Sequence, residues 1–558
     1  MSTEHYPITT LPHSTRLFRD FLAMSEGSVS GPVHTWYGAN PLGNAWIKPA
    51  STSTHVAALA DALEAQSHTF GAEGATLANI AKLRSGARAV VTGQQVGLFG
   101  GPLLTLLKAA SAVARARQAT ITTGVEHVPI FWLATEDHDG VEVDRVSLLS
   151  KKSVETLHTG DTQFPGIAVP VGNIAFQGHI NGLLDQVSEL LHFAPVCELL
   201  RECYALGDSY SPTFASAFAR LMTRLFAEQG LIVMDAAGRD FHALGASTLR
   251  FAIEHADDLE AALLARTAEL ESAGYHAQVL VNSGASLLFL ISDVEGYSGV
   301  KNRQSLRRVA DGSWRVGSGA SATSFSTADL LTILDTAPER LSPNALLRPV
   351  FQDTILPTTA YIGGPAEVAY FAQSAVLYQH ILGRITPILP RLTATLIEPA
   401  IGALMDQHEI KLTDALHSAD ELAQRLGARA MPIEAKRRLA DAGNALDQAL
   451  TAAHEYFASL DASLARSADV SASKMRYQMN RLRRLAATFE LHREASLRKD
   501  AEAITLHLYP KAHLQERLLA GVWFLAAWEA THGSSPGLIA RLIEEAAEQS
   551  ANHLVIRL

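Results

Sequence analysis

Hydrophobic and polar positions change rhythm several times along this chain, and each change predicts an element. Ala89, Val90 and Val91 form a short apolar, largely β-branched strand pattern. It stops at Thr92-Gly93-Gln94-Gln95-Val96-Gly97-Leu98-Phe99-Gly100-Gly101-Pro102. Proline sits best at the first helical position, where its missing N–H costs nothing. Pro102 is therefore expected to open a helix over Leu103–Lys108 that continues, Ala-rich, to about Gln118. Val128–Ala134 is continuously apolar, as in a strand buried on both faces. Strand, helix and strand within about 45 residues read as one βαβ unit of a parallel sheet.

Elsewhere the rhythm predicts a larger α/β core with additions. Pro- and Gly-punctuated loops precede an Ala-rich amphipathic stretch from Val56 to Leu83. Val141 to about Val196 reads as short alternating strands with turns, an insertion over about 141–200. Pro212–Gln229 is helical and stopped by Gly230; Leu231–Asp235 is another buried strand, and Phe241 to about Ser272 one long helix. Hairpins are expected over Gln278–Asp293 and Lys301–Gly317 (the latter basic at Arg303, Arg307 and Arg308), forming a second insertion at about 275–325. A strand follows from about Thr358 to Ile362, and helix resumes at Pro365.

Between Ala400 and Leu508 helical spacing takes over. Leu439, Ala442, Leu446, Leu450, Ala453, Phe457, Leu460 and Leu464 are separated by threes and fours, and Met475, Met479, Leu482, Ala486 and Phe489 repeat this beyond Ser467–Ser473. Two such seams predict an antiparallel coiled-coil hairpin turning at Ser467–Ser473; an ordinary bundle packed on the core fits the same spacing. Trp523, Phe524 and Trp528 mark a return to globular pattern. The expected division is a core over 1–398, a helical arm over 399–508, and a segment over 509–558 that rejoins the core.

Composition narrows the function classes. A length of 558 residues suggests three or four folding units, and 47% hydrophobic with 18% charged residues suits a well-buried globular protein. With 46 basic and 57 acidic side chains the net charge is −11, and no basic stripe carries interleaved aromatics, so no nucleic-acid partner is expected. No apolar run is long enough for a membrane span, and Met1–Asp20 lacks the apolar centre of a signal peptide. Cys197 and Cys203 are the only cysteines, at a spacing unsuited to zinc. A reducing cytoplasm is the expected location.

Candidate chemistry gathers at the predicted strand ends. The Gly93–Gly101 loop matches neither standard nucleotide fingerprint, yet a helix N-terminus beside it would attract anions; a tight βα turn needing glycine only for its backbone explains the same residues. Thr135-Glu136-Asp137-His138-Asp139 follows the apolar strand directly. Four ionisable side chains there are costly unless they bind something, and crowded carboxylates shift pKa values toward neutrality. A metal on His138 with Asp137 or Asp139 is conceivable, but adjacent residues rarely chelate one ion, so none is expected; caps and surface ion pairs are the plainer alternative. Downstream, Gly363-Gly364-Pro365 repeats the Gly100-Gly101-Pro102 device, with Glu367 in the following first turn. Arg348 and Arg391, each beside a proline, could fork onto a carboxylate or phosphate. No nucleophile elbow or H-E-x-x-H is present, and Ser471-Ala472-Ser473-Lys474-Met475 only superficially matches a synthetase loop.

Together these stretches resemble one family, the cysteine-adding bacillithiol synthases (BshC). The pieces are Thr92-Gly93-Gln94-Gln95, Gly97-Leu98-Phe99, Gly101-Pro102-Leu103 and Lys108; Phe131-Trp132 and Glu136-Asp137-His138-Asp139; Ser342-Pro343-Asn344, Arg348-Pro349, Gln352-Asp353 and Leu356-Pro357-Thr358; Gly363-Gly364-Pro365, Glu367, Pro390-Arg391 and Leu514-Gln515-Glu516-Arg517. Leu104 stands where an aromatic is usual, and Ala366 replaces a glycine. The resemblance implies a Rossmann-like parallel-sheet core with connecting-peptide-type insertions, similar to class I aminoacyl-tRNA synthetases, plus a coiled coil that dimerises. It implies joining the carboxyl of L-cysteine to the amine of glucosaminyl-malate, with ATP or another nucleotide as the expected activator, although no H-I-G-H or K-M-S-K-S element is found. On this reading Glu136, Asp137, His138 and Asp139 are catalytic candidates, with His138 as the base oriented by Asp137 or Asp139. Substrate-binding candidates are Thr92, Gln94, Gln95, Gly97, Gly101, Lys108, Arg348, Gln352, Asp353, Gly364, Glu367 and Arg391. A non-catalytic dimeric scaffold and a metal-dependent hydrolase are the competing functions.

Overall fold

Five short strands, apolar on both faces, build the central sheet: β1 (Arg88–Gln94), β2 (His127–Leu133), β3 (Ile232–Asp235), β4 (Thr358–Gly363) and β5 (Ile388–Pro390). In this computed structural model they are all parallel, in the order β5-β4-β1-β2-β3. All residues are described except 1–2, 13, 27–31, 48–54, 163–166, 208–210, 295–298, 318–321, 534–536 and 549; part of the loop region expected before Val56 thus lies outside the described residues. Alternate side chains explain why the strands read as unbroken apolar runs. Ala89, Val91, Val128, Ile130, Trp132, Ile232 and Met234 join one apolar layer, and Phe131, Leu133 and Val233 join the other. Val90, Ala360, Ile362 and Leu389 meet Ala112, Ala116 and Ala119 of α1 (Leu104–Thr123), whose small side chains let the helix lie close to the sheet. The chain winds outward from β1 to β3 and then returns to the other side of β1 as β4, so strand order reverses between β1 and β4.

Several expected boundaries shift for local reasons. α1 begins at Leu104, not Pro102, and ends at left-handed Gly124. Pro102 instead bridges to Ala520, and the Leu103 N–H donates to Leu519 O, so the loop is stitched to the C-terminal segment. Val56–Leu83 forms two helices, Val56–Thr69 and Ala75–Arg84. The first insertion holds one hairpin (Arg145–Leu149 with Val154–His158), then helices Ile180–Leu191 and Ala194–Tyr204 in place of further strands. Leu183, Leu184, Val187 and Leu191 share one buried helical face there. The helix expected over Phe241–Ser272 is three, Arg239–Leu244, Ala246–Glu254 and Ala256–Ser272. At Gly245 a Cβ would collide with the Phe351 ring, which is why glycine breaks the run. The second insertion is a single antiparallel sheet of Ala285–Asp293, Lys301–Arg308, Trp314–Val316, Thr323–Phe325 and Leu341–Pro343 rather than two separate hairpins. Its last strand feeds α2 (Arg348–Ile355), and β4 feeds α3 (Pro365–Leu382), where proline does occupy the first helical position.

Two long helices, α4 (Ile433–Leu460) and α5 (Ala462–Arg493), form the arm. Their turn is at Asp461, which accepts a hydrogen bond from Ser463 N, and α5 runs unbroken through the expected turn at Ser467–Ser473. The helices touch through a thin seam of small residues and Met479, with Gly443, Ala465 and Ala472 buried, while Ala487 packs on Gly427 of the helix Ala419–Ala430; Leu460, Leu464, Met475, Leu482, Leu485 and Phe489 remain exposed. Beyond the arm, Asn552–Arg557 pairs with both Thr3–Pro7 and Ala394–Ile397, tying the two ends of the chain into one small sheet. No described helix is long and apolar enough to cross a membrane.

Candidate active site

β1 stops at Gln94 and β4 at Gly363, side by side where the strand order reverses, and ligands of open α/β sheets settle at such a crevice. A cavity of about 970 Å³ lies over these ends, walled by the β1–α1 loop, the residues after β2, the antiparallel sheet, the starts of α2 and α3, and Arg517–Ala520. Gly97 and Gly101 pack so closely that a Cβ on Gly97 would sit 3.0 Å from Gly101 Cα, and Gly101 has a φ of +69°. Glycine is required there by backbone geometry.

Lys108 is 4% exposed, and its ammonium donates to Gly93 O (2.8 Å), Gln94 Oε1 (2.8 Å) and Glu367 Oε2 (2.6 Å). An ammonium has three N–H groups, so none remains for a ligand. Burial alone would raise the Glu367 carboxyl, but Lys108, the Gly364 N–H (2.7 Å) and the Tyr361 hydroxyl (2.6 Å) hold it below the usual range. Lys108 and Glu367 thus form a charged strut between α1 and α3, which Lys108 also ties to the end of β1. The first-turn N–H groups of Ala366 and Glu367 have no helical carbonyl to bond, and both residues line the cavity.

Three arginines border this end. Arg348 donates to the Tyr370 hydroxyl at 2.9 Å. Arg391 donates to Glu516 Oε1 (2.6 Å) and Leu392 O (2.8 Å). Glu516 also accepts from Thr393 Oγ1 and Ala394 N, both at 2.9 Å; burial opposes its charge, but Arg391 and these donors pull its pKa down to about 2. Arg517 lines the cavity and makes no side-chain hydrogen bond or ion pair among the described residues.

The segment after β2 brings carboxylates to the wall. Glu136 Oε1 lies 2.9 Å from Nε2 of fully buried His242. Burial works against charge on that imidazole, yet Glu136 raises its pKa above the ordinary value. Asp137 Oδ2 accepts from Gln95 Nε2 at 2.7 Å, and its Oδ1 from the His138 backbone N–H at 2.8 Å. His138 Nδ1 faces Arg303 Nη1 at 3.1 Å. Burial and Arg303 both lower the His138 pKa, against Asp137 and Asp139. Glu142, also on the wall, is raised by burial and by Asp139 and Asp137.

Of the residues singled out in the sequence, Gln94, Gln95, Gly97, Gly101, Lys108, Glu136, Asp137, His138, Arg348, Gly364, Glu367 and Arg391 line this one cavity. Four do not. Thr92 Oγ1 donates to Ile362 O at 3.0 Å and joins β1 to β4. Gln352 and Asp353 are buried behind the wall, where Gln352 donates to Asp353 and Asp353 accepts from the Tyr378 hydroxyl at 2.7 Å. Asp139 caps the short helix Gly140–Val143 through Glu142 N, and neither Asp139 nor Asp137 accepts from the His138 ring. The sequence pattern does not mark Arg303, Arg517, Glu142, Tyr370 or His242 as site residues. Arg303 was visible only as a basic hairpin position and Arg517 only as the end of a matched piece; His242 sits on an apolar helix with no distinguishing signal. Among the described residues no group of three or more His, Cys, Asp or Glu side chains is arranged to hold a metal ion.

Comparison with known proteins matches this architecture. Residues 1–392 fit the family described as Bacillithiol biosynthesis BshC, N-terminal Rossmann-like domain, and 394–558 fit its C-terminal coiled-coil domain. A relative from Koribacter versatilis, provisionally named cysteine ligase BshC, is 41% identical over 94% of each chain. Like-named proteins from Solibacter usitatus (36% over 98% of each) and Salinibacter ruber (31% over 89% of this chain and 88% of that one) agree. A solved structure provisionally titled arginyl-tRNA synthetase, from Campylobacter jejuni, aligns over 88% of this chain and 99% of its own at 10% identity and a TM-score of 0.22, too distant to bear on fold or activity. With both halves matched in order and several relatives aligned over nearly the full length, the chain belongs to the BshC family of bacillithiol biosynthesis.

Proposed function

We propose that this protein joins the carboxyl of L-cysteine to the amine of glucosaminyl-malate. The observation that carries this reading is that one cavity is lined by both kinds of charge: Arg348, Arg391 and Arg517 with the α3 N-terminus, and Glu136, Asp137 and Glu142 on the segment that follows β2. Malate brings two carboxylates for the arginines, and the sugar amine meets the carboxylates after β2. A carboxylate and an ammonium form only a salt in water, so the site must activate the acid, deprotonate the amine and exclude water. Glu136 is assigned the deprotonation, because His242 anchors one of its oxygens and the other has no partner among the described residues. The Gln94 carboxamide N–H groups and Gln95 Oε1, left over from the bonds to Lys108 and Asp137, suit sugar hydroxyls or the acyl group.

For the carboxyl activator we propose a nucleoside triphosphate, supported by the family resemblance and by cavity cations that fit phosphate oxygens. The exposed apolar residues of α4 and α5 support a homodimer through the arm, and the absence of a disulfide between Cys197 and Cys203 suits a reducing cytoplasm. The test is direct. Purified protein with cysteine, glucosaminyl-malate and each nucleotide in turn should give a product heavier than glucosaminyl-malate by one cysteinyl residue, with nucleotide cleaved in step. Failure to form that product with any nucleotide would reject the reading.

A further inference from the structure

Arg303 lies on the antiparallel sheet, far in sequence from the strand-end cluster, yet its guanidinium reaches into it. It is 7% exposed and is held by five contacts: Nε donates to Ser342 Oγ (3.2 Å), Nη2 to Pro343 O (3.0 Å), the group lies 3.7 Å from the Phe289 ring centre, Nη1 meets His138 Nδ1 at 3.1 Å, and Nη1 is 3.8 Å from Asp137 Oδ1. A guanidinium only donates. The ring nitrogen facing it must therefore carry the lone pair, and in a neutral imidazole the proton then resides on Nε2. Asp137 makes no competing hydrogen bond to the ring: its nearer oxygen, Oδ1, is 3.6 Å from Nδ1, beyond hydrogen-bond reach, and its Oδ2 is turned to Gln95. Asp139 is occupied as a helix cap. His138 Nε2 has no partner among the described residues, and the ring lines the cavity.

We propose that Arg303 is a positioning residue that fixes His138 in its Nε2–H form, so that His138 presents a neutral hydrogen-bond donor to a substrate oxygen. This rests on the ligase reading of the cavity and changes one role within it. A lone pair already accepting from Arg303 is not free to take the amine proton, so His138 is not the base. A neutral imidazole N–H aimed at a carboxyl oxygen stabilises the charge that develops there as the amine adds. Burial and the Arg303 charge keep the ring neutral near pH 7, overcoming the pull of Asp137 and Asp139.

Nitrogen-15 spectroscopy of the full-length protein labelled at histidine tests this, with the His138 signals identified by their loss in His138→Gln. The wild type should show His138 as a single Nε2–H tautomer at neutral pH; an Nδ1–H form or a mixture would overturn the proposal. Arg303→Met should release the tautomer and raise the pH at which His138 titrates. Should that variant not fold, Arg303→Lys keeps the charge on a single nitrogen, which cannot span the partners that Arg303 reaches separately from Nε, Nη2 and Nη1, and should release the tautomer likewise. In turnover, His138→Ala should lose about 10²–10³-fold. His138→Gln, which retains an N–H donor but no base, should keep about a tenth of wild-type turnover, well above the Ala variant; a Gln variant as impaired as Ala would overturn the donor role. If the wild type forms no product the proposed reaction falls, while the tautomer result still decides what Arg303 does.

Discussion

At Lys108 a buried ammonium joins the end of β1, the Gln94 side chain and the first turn of α3. Removing one partner of a buried ion pair leaves the other unpaired, at about 3–5 kcal/mol. Lys108→Met should therefore lower unfolding free energy in urea by about that amount; an unchanged midpoint would show that the strut is dispensable. The sequence pointed to Lys108 as a ligand for malate, because its partner Glu367 lies on a distant helix and nothing local shows that all three N–H groups are used. Glu136→Gln keeps the shape of the side chain and its contact with His242 but removes the carboxylate. It should cut turnover by about 10²–10⁴-fold in protein that retains its circular dichroism spectrum, and near-normal turnover would pass the base to another group.

Small elements at the rim lend themselves to tests by pH and by association. In the three-stranded sheet that gathers both chain ends, His553 is fully buried between the Thr393 and Thr395 hydroxyls, each 2.8 Å away. Burial and Arg391 push its pKa down from 6.5 to about 4, against Glu516. The unfolded chain therefore takes up this proton below about pH 6.5 while the folded protein resists until about 4. The stabilisation is full above pH 6.5 and is lost as pH falls through that window, up to about 3 kcal/mol. His553→Gln should flatten this part of a stability-against-pH curve; a curve matching the wild type would contradict the assignment. For the arm, wild-type protein should sediment as a dimer. Leu482→Glu with Leu485→Glu, at positions 53% and 58% exposed, should make it monomeric without loss of helix by circular dichroism. A monomeric wild type would reject the dimer. The strands of the core were legible because burial on both faces leaves continuous apolar runs. The arm's turn was not, because Ser467–Ser473 looks like a break, whereas a helix tolerates those small residues and Asp461 supplies the actual N-cap.

Over the whole molecule, function depends on segments that only the topology brings together. The reversal of strand order between β1 and β4 sets two glycine-flanked strand ends side by side, and the chain then leaves for the arm before returning with Glu516 and Arg517. The strand-end clusters stood out as runs of polar residues after apolar ones. Arg303 and Arg517 did not, since each reaches the cavity from an element whose own pattern is ordinary. A structure of the protein with glucosaminyl-malate bound examines this convergence most directly. The account predicts the malate carboxylates against Arg348, Arg517 and the α3 N-terminus, with the sugar amine beside Glu136. An empty cavity at saturating ligand, or the conjugate bound elsewhere on the chain, would contradict it.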